Sequence, residues 1–149
     1  MYAYLVAGAT EEYNVCAYSY LLGNFPIQSG THVGWTVVEA YLHGLIELET
    51  YVIKKSLTPT VTAFEVCTPS NLVRTLIDTD RLEVLHDNNW VDPDGPVFYI
   101  PELQELYYLR MYYKERGIAW RCLSELDQPQ YRFFEMCRDH LQTILRTTG

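Results

Sequence analysis

The chain has 149 residues, 48% hydrophobic and 14% aromatic, with a formal net charge of −8; this is enough for one sizeable core, and the length favours one domain spanning residues 1–149. No stretch reaches the roughly 18 uninterrupted apolar residues of a membrane span, and Met1-Tyr-Ala-Tyr-Leu-Val has no basic segment ahead of an apolar one, so the expectation is a soluble, intracellular, cytoplasmic protein that makes no membrane contact. Residues 1–100 carry twelve Asp or Glu against four Lys or Arg, whereas 101–149 carry seven of each; such a surface repels phosphate backbones, because nucleic-acid affinity rests on Lys and Arg displacing counterions.

Residues 2–7 and 13–22 are rich in Tyr, Val and Leu and are joined by Gly8-Ala-Thr-Glu-Glu, the pattern of two strands linked as a hairpin. Gly23-Asn-Phe-Pro turns the chain into a third strand over 27–33, completing an antiparallel meander. From 35 to 52, Val38, Tyr41, Leu42, Leu45, Leu48 and Val52 recur at helical spacing. Gly44 permits close approach to the sheet there, and Glu39, Glu47 and Glu49 border the stripe. Thr58-Pro59 ends that helix, and the β-branched run from Thr60 to Cys67 follows as a strand that a helical crossover places parallel to the first.

Thr68 is suited to cap a short helix with Pro69 at its first position, where the missing N–H costs nothing, and Leu72, Val73, Leu76 and Ile77 supply its apolar side. The acidic segment from Asp78 to Pro96, with the turn Asp92-Pro-Asp-Gly, reads as irregular. A helix over 101–116 carries Leu103, Leu106, Leu109 and Tyr113 on one face, with Tyr108 and Tyr112 one turn apart on roughly the opposite one. Gly117 ends it. A fifth strand from Ile118 and a last helix after Asp127-Gln-Pro, with Phe133, Phe134, Cys137, Leu141, Ile144 and Leu145, complete the order.

Cys16, Cys67, Cys122 and Cys137 show no Cys-x-x-Cys spacing and read as buried free thiols. Cys137 and His140 are one helical turn apart, half of a zinc site for which no second pair supplies the other ligands. The loop around Asp92 lacks the acids of a helix-loop-helix calcium site. The arginines and lysine of the last third (Arg110, Lys114, Arg116, Arg121, Arg132, Arg138) read better as salt-bridged, solvated faces than as one basic surface.

Three antiparallel strands followed by helix, strand, helices, strand and helix resemble the ribonuclease H-like superfamily, an α/β fold with a mixed five-stranded sheet flanked by helices, over nearly the whole chain. Gly34-Trp-Thr-Val-Val-Glu-Ala-Tyr resembles the family helix that brings a Glu to the active site. Val66-Cys-Thr-Pro-Ser-Asn-Leu-Val resembles the strand end where Asp-Ser normally stands, and Ile118-Ala-Trp with Glu135-Met-Cys-Arg-Asp-His-Leu resembles the last strand and the Asp-bearing terminal helix. The resemblance implies carboxylates that hold two divalent metals, Mg or Mn, to activate water in phosphodiester hydrolysis. Carried over, the first-strand Asp falls on Ala7, the helix Glu on Glu39, the fourth-strand Asp on Pro69 and the terminal Asp on Asp139, with Arg138 a competing register.

Two of the four acids are therefore missing, and the His that many members carry before the last helix is absent near Leu123-Ser-Glu-Leu. Glu65 lies four residues before Pro69, roughly 13 Å along an extended strand, too far to replace its acid. Glu11 or Glu12 is the more plausible substitute, so the alternative metal set is Glu11, Glu39 and Asp139. Without a metal, Glu39 is a surface partner of His43, and Asp139 pairs with Arg132 or Arg138. The expectation is a catalytically inactive domain, a pseudo-nuclease needing no cofactor, that binds another protein or a second copy of itself through Tyr108, Met111 and Tyr112, since Tyr supplies rigid contact area with a polar tip. A viral or phage accessory or inhibitor protein is one form of it. The alternatives are a metal-dependent nuclease with relocated ligands and a nucleic-acid-binding domain that does not cleave.

Overall fold

The computed structural model describes residues 1–12, 14–124 and 128–148, the side chains of Gln128 and Thr148 excepted. The expected start of the second strand at Tyr13, the Glu125-Leu126 stretch where the family histidine was sought and the approach to the last helix through Asp127 lie outside the described residues.

Five strands, β1 (Tyr2–Ala9), β2 (Val15–Leu22), β3 (Gln28–Val33), β4 (Ala63–Cys67) and β5 (Ala119–Cys122), form one sheet in the order β3-β2-β1-β4-β5. The pairs β1–β2 and β2–β3 are antiparallel; β1–β4 and β4–β5 are parallel, with Tyr4 opposite Cys67 and Glu65 opposite Arg121. This is the mixed α/β architecture expected from the order of elements. The helices are α1 (Val37–Lys54), α2 (Asn71–Asp78), α3 (Arg81–Asp87), α4 (Ile100–Glu115) and α5 (Gln128–Thr148).

Strand alternation divides the core. Ala3 and Leu5 of β1 face a large apolar cluster with Leu42, Leu45, Leu48 and Val52 of α1, joined by side chains of α2, α3 and α4. Tyr4 and Val6 face the other way, against Cys137, Leu141 and Leu145 of α5. A central strand buried on both faces needs apolar residues at every position, which Ala3-Tyr-Leu-Val supplies. Gly44 lets α1 close on the sheet: a Cβ there would stand 2.8 Å from Leu5 Cδ1 and 3.0 Å from Tyr18 Cβ.

Several local expectations are corrected. The cap of α2 is Ser70, whose Oγ accepts from Val73 N at 3.2 Å, while Thr68 is buried at the strand end and accepts from Ser70 N. The segment from Asp78 to Pro96 is not wholly irregular, because Leu82 and Leu85 fold it as α3 onto the core; the turn at Asp92 stands, with Asp92 bridged to Gly95. On α1, Val38 is exposed and Glu49 is buried. Leu72 of α2 is likewise exposed.

Candidate functional site

The C-terminal end of β1, the end of β4 and the N-terminus of α1 meet where the resemblance puts a carboxylate cluster. The parallel pairing of β1 with β4 ends at Tyr4 and Cys67; Ala7 follows three residues later on β1, and Pro69, which is exposed, lies between Cys67 and the Ser70 cap of α2. Neither Ala7 nor Pro69 offers a side-chain oxygen. Tyr41, one α1 turn beyond the cap, packs with Ala7 against the same apolar cluster, its hydroxyl near enough to the Ala7 backbone to be influenced by it. Burial raises the Tyr41 phenol above its usual value, and the Ala7 backbone offsets part of the rise.

Glu39 has a structural task. Thr36 caps α1, accepting from Glu39 N at 3.1 Å, and Glu39 Oε1 reaches back to accept from Thr36 N at 3.1 Å, a reciprocal capping box that satisfies two otherwise free donors. Its negative charge also sits at the positive end of the helix dipole. The thiol of Cys16 is raised by burial and further by the Glu39 charge, and its sulfur donates to the Trp35 carbonyl. The expected pair of Glu39 with His43 does not form: His43 lies 3.4 Å from Glu102 and stacks on Trp35, which stacks on His32 in turn, at ring separations of 4.1 and 4.3 Å.

The other acids are dispersed. Glu11 and Glu12 are exposed in the β1–β2 turn and line a cleft with Gln142 and Arg146 near the far end of α5. Glu65 pairs with Arg121 across the β4–β5 register at 3.0 Å. Asp139 is exposed on α5, and among the described residues it has no ion pair with Arg132 or Arg138; Arg138 turns instead to Glu135 at 3.6 Å. No three His, Cys, Asp or Glu side chains among the described residues stand close enough to share a metal ion. The residues present do not fit a pair of divalent cations, because such ions need several converging oxygens, no three such side chains converge among the described residues, and Glu39 is already hydrogen-bonded to the cap. The half-site of Cys137 and His140 goes no further: Cys137 is buried against the Tyr4 and Ser19 carbonyls.

All four cysteines are free, three of them buried. Burial raises Cys67 and Cys137 each to about 11 and Cys122 to about 12. They are inert packing groups at neutral pH.

On α4, Tyr108 is 68% exposed, as expected. Met111 and Tyr112 are half-buried, and Tyr112 does not point away from the core: it packs against it, meets Tyr113 edge-on, and is covered by the Arg116 guanidinium 3.5 Å from its ring centroid. Basic side chains nearby are engaged too, Arg110 and Lys114 both by Glu83. Among the described residues, no helix is long and apolar enough to cross a membrane.

Neither a family profile nor a curated protein sequence matches the chain. Solved structures do. The foamy viral protease–reverse transcriptase in complex with double-stranded DNA superposes with a TM-score of 0.64 at 12% identity, covering 95% of this chain and 92% of that one. LC11-RNase H1 in complex with an RNA/DNA hybrid gives 0.57 at 13%, covering 97% and 98%, and the N-terminal RNase H domain of rv2228c from Mycobacterium tuberculosis gives 0.54 at 11%, covering 99% of both chains. The protein is thus an α/β domain with a mixed sheet of three antiparallel and two parallel strands. More narrowly, its fold is ribonuclease H-like.

Proposed function

We propose that this domain does not hydrolyse nucleic acid and works by binding another protein. The observation that carries the first half is the pair of positions at Ala7 and Glu39: where the resemblance expects the strand carboxylate a methyl group stands, and Glu39 is hydrogen-bonded in the helix cap. Without converging oxygens the end of the sheet has no means of holding the two cations on which family hydrolysis relies. Incubating the purified protein with magnesium or manganese and an RNA/DNA hybrid, DNA or RNA tests this. Cleavage above background that disappears in Glu39→Gln would overturn the proposal in favour of a nuclease with relocated ligands.

Support for the second half comes from the surface. The net charge of −8 favours a partner with a basic face over a phosphate backbone, and Tyr108 stands open on α4 with Met111 and Tyr112 half-covered beside it. A second copy of the chain is the simplest partner to assay. Sedimentation equilibrium of the wild type and of a Tyr108→Ala, Tyr112→Ala variant gives the comparison, together with capture of a basic partner on the immobilised domain. Both are expected to weaken in the variant; if both are unchanged, the α4 surface is not the contact.

A further inference from the structure

The two edges of the sheet are finished differently. β5 is four residues long, carries Arg121 in a pair with Glu65, and has the Cys122 N–H taken by the Asp78 carboxylate of α2 at 2.8 Å. Shortness, a charge and a covered donor each keep a strand edge from pairing with another chain. β3 has none of these protections. Its six residues, Gln28-Ser-Gly-Thr-His-Val, include no Lys, Arg, Asp, Glu or Pro, and they pair one to one with β2, from Gln28 opposite Tyr20 to Val33 opposite Val15, without a bulge. Among the described residues, only those of β2 hydrogen-bond to the β3 backbone, so the alternate N–H and C=O groups along its outer side are left unpaired.

The side chains of β3 select the strand that fits beside it. Gln28, Gly30 and His32 stand opposite Tyr20, Tyr18 and Cys16 and share one face with them, whereas Ser29, Thr31 and Val33 are exposed on the other. The Tyr18 ring lies over Gly30, where an added Cβ would stand 2.4 Å from its hydroxyl oxygen, and that hydroxyl makes no hydrogen bond among the described residues. A second β3 can pair antiparallel with the first about a twofold axis normal to the sheet. Such an axis keeps every residue on its own face, so it must pass through a residue and not between two.

Centred on Gly30, the pairing sets Gln28 opposite His32, Ser29 opposite Thr31 and Gly30 opposite itself. The result is an amide beside an imidazole, hydroxyl beside hydroxyl, and two glycines beneath the two Tyr18 rings, with no like charges facing each other. Centred on Thr31 instead, Ser29 meets Val33 and His32 meets Gly30, which matches fewer hydrogen-bonding groups. The net charge of −8 on each copy opposes self-association, and an uncharged edge is the approach that this repulsion penalises least. We propose that the chain forms a twofold dimer in which β3 of a second copy pairs with β3 about Gly30, joining the two five-stranded sheets into one. The contact rests on the proposed function only in taking the partner to be a protein, and it makes no use of α4.

One strand pair is smaller than a standard interface of about 1,600 Å², so sedimentation velocity should show a monomer–dimer equilibrium with half-dimerisation at about 10–100 μM. Ser29→Lys with Thr31→Lys, both at exposed positions, should weaken it at least about tenfold by setting like charges opposite one another, and Ser29→Lys with Thr31→Glu should restore it. Mixing Ser29→Cys protein with Thr31→Cys protein under mild oxidation should give a disulfide-linked dimer about tenfold faster than either variant alone, because directly opposed Cα atoms about 4.5–5.5 Å apart are within disulfide reach and diagonal ones are not. A chain that stays monomeric at about 1 mM, or a double-lysine variant that dimerises as the wild type does, would overturn the proposal. Faster cross-linking of Thr31→Cys with itself than of the mixture would overturn the Gly30-centred register. Tyr108→Ala, Tyr112→Ala should leave this dimer in place; its loss there, with retention in the double-lysine variant, would assign self-association to α4 and refute the β3 contact.

Discussion

Glu49→Gln should stabilise the protein in a way that grows with pH. In the folded chain burial raises the Glu49 carboxyl from 4.5 to about 8, with Arg110 opposing part of the rise. The folded state therefore keeps a proton that the unfolded state releases, and stability falls as pH climbs through that window. The contribution is whole below 4.5 and fully lost above about 8. At 1.36 kcal/mol per unit of pH, the wild type loses about 3 kcal/mol by pH 7 relative to acid conditions on this account alone, and about 5 kcal/mol beyond the upper limit. Glutamine has the shape of the neutral acid and no proton to lose, so it removes the slope. Urea unfolding of both proteins across the acid to mildly alkaline range isolates the effect, because every other titrating group is common to the pair. The stability difference should be near zero in acid and reach about 3 kcal/mol at pH 7. A constant offset with no pH dependence would refute the reasoning, since it would mean that Glu49 ionises normally.

Gly44→Ala should destabilise the fold by about 1–3 kcal/mol in urea unfolding, because the new methyl presses on Leu5 and Tyr18, and the better helix propensity of alanine recovers only part of that. An unchanged midpoint would show that α1 can move off the sheet freely. Alkylation of Cys67, Cys122 and Cys137 by iodoacetamide near neutrality should be at least about tenfold slower in the native protein than in the unfolded one, since burial raises all three thiols; equal rates would contradict their packing. Glu39→Gln should leave thermal stability nearly unchanged, because glutamine also completes a capping box, whereas Thr36→Ala should cost about 1 kcal/mol.

The order of elements was legible because each was signalled by its own period: two for the strands, and three to four for α1, α4 and α5. What escaped was set by neighbours in space. The acids Asp80, Glu83 and Asp87 obscured the Leu82–Leu85 spacing that seats α3, although the residues between Asp78 and Pro96 already contained it. Glu49 stands four residues after Leu45 and three before Val52, squarely on the buried stripe, so its position was readable while its identity argued against burial. Tyr41 was read as part of the apolar stripe, and no spacing says that its hydroxyl comes near the Ala7 backbone. Glu39 offered a plainer signal, Thr36-Val-Val-Glu, which is the capping-box pattern and was passed over in favour of a metal ligand.

That pattern bears on how an acid can persist in a scaffold whether or not it takes part in chemistry. A carboxylate at the third position of α1 fills orphan backbone donors and opposes the helix dipole whether or not a cation is nearby, so stability alone is enough to retain it. The strand and loop positions have no such second use. At Ala7 a carboxylate without a metal would be an uncompensated charge beside a phenol and an apolar core, and at Pro69 it would add nothing to a helix already capped by Ser70. The acid that doubles as a cap is present, Asp139 stands exposed on α5, and the two strand and loop positions hold Ala7 and Pro69. Of the positions at this end of the sheet, Glu39 is thus the one whose acid has a use in folding alone.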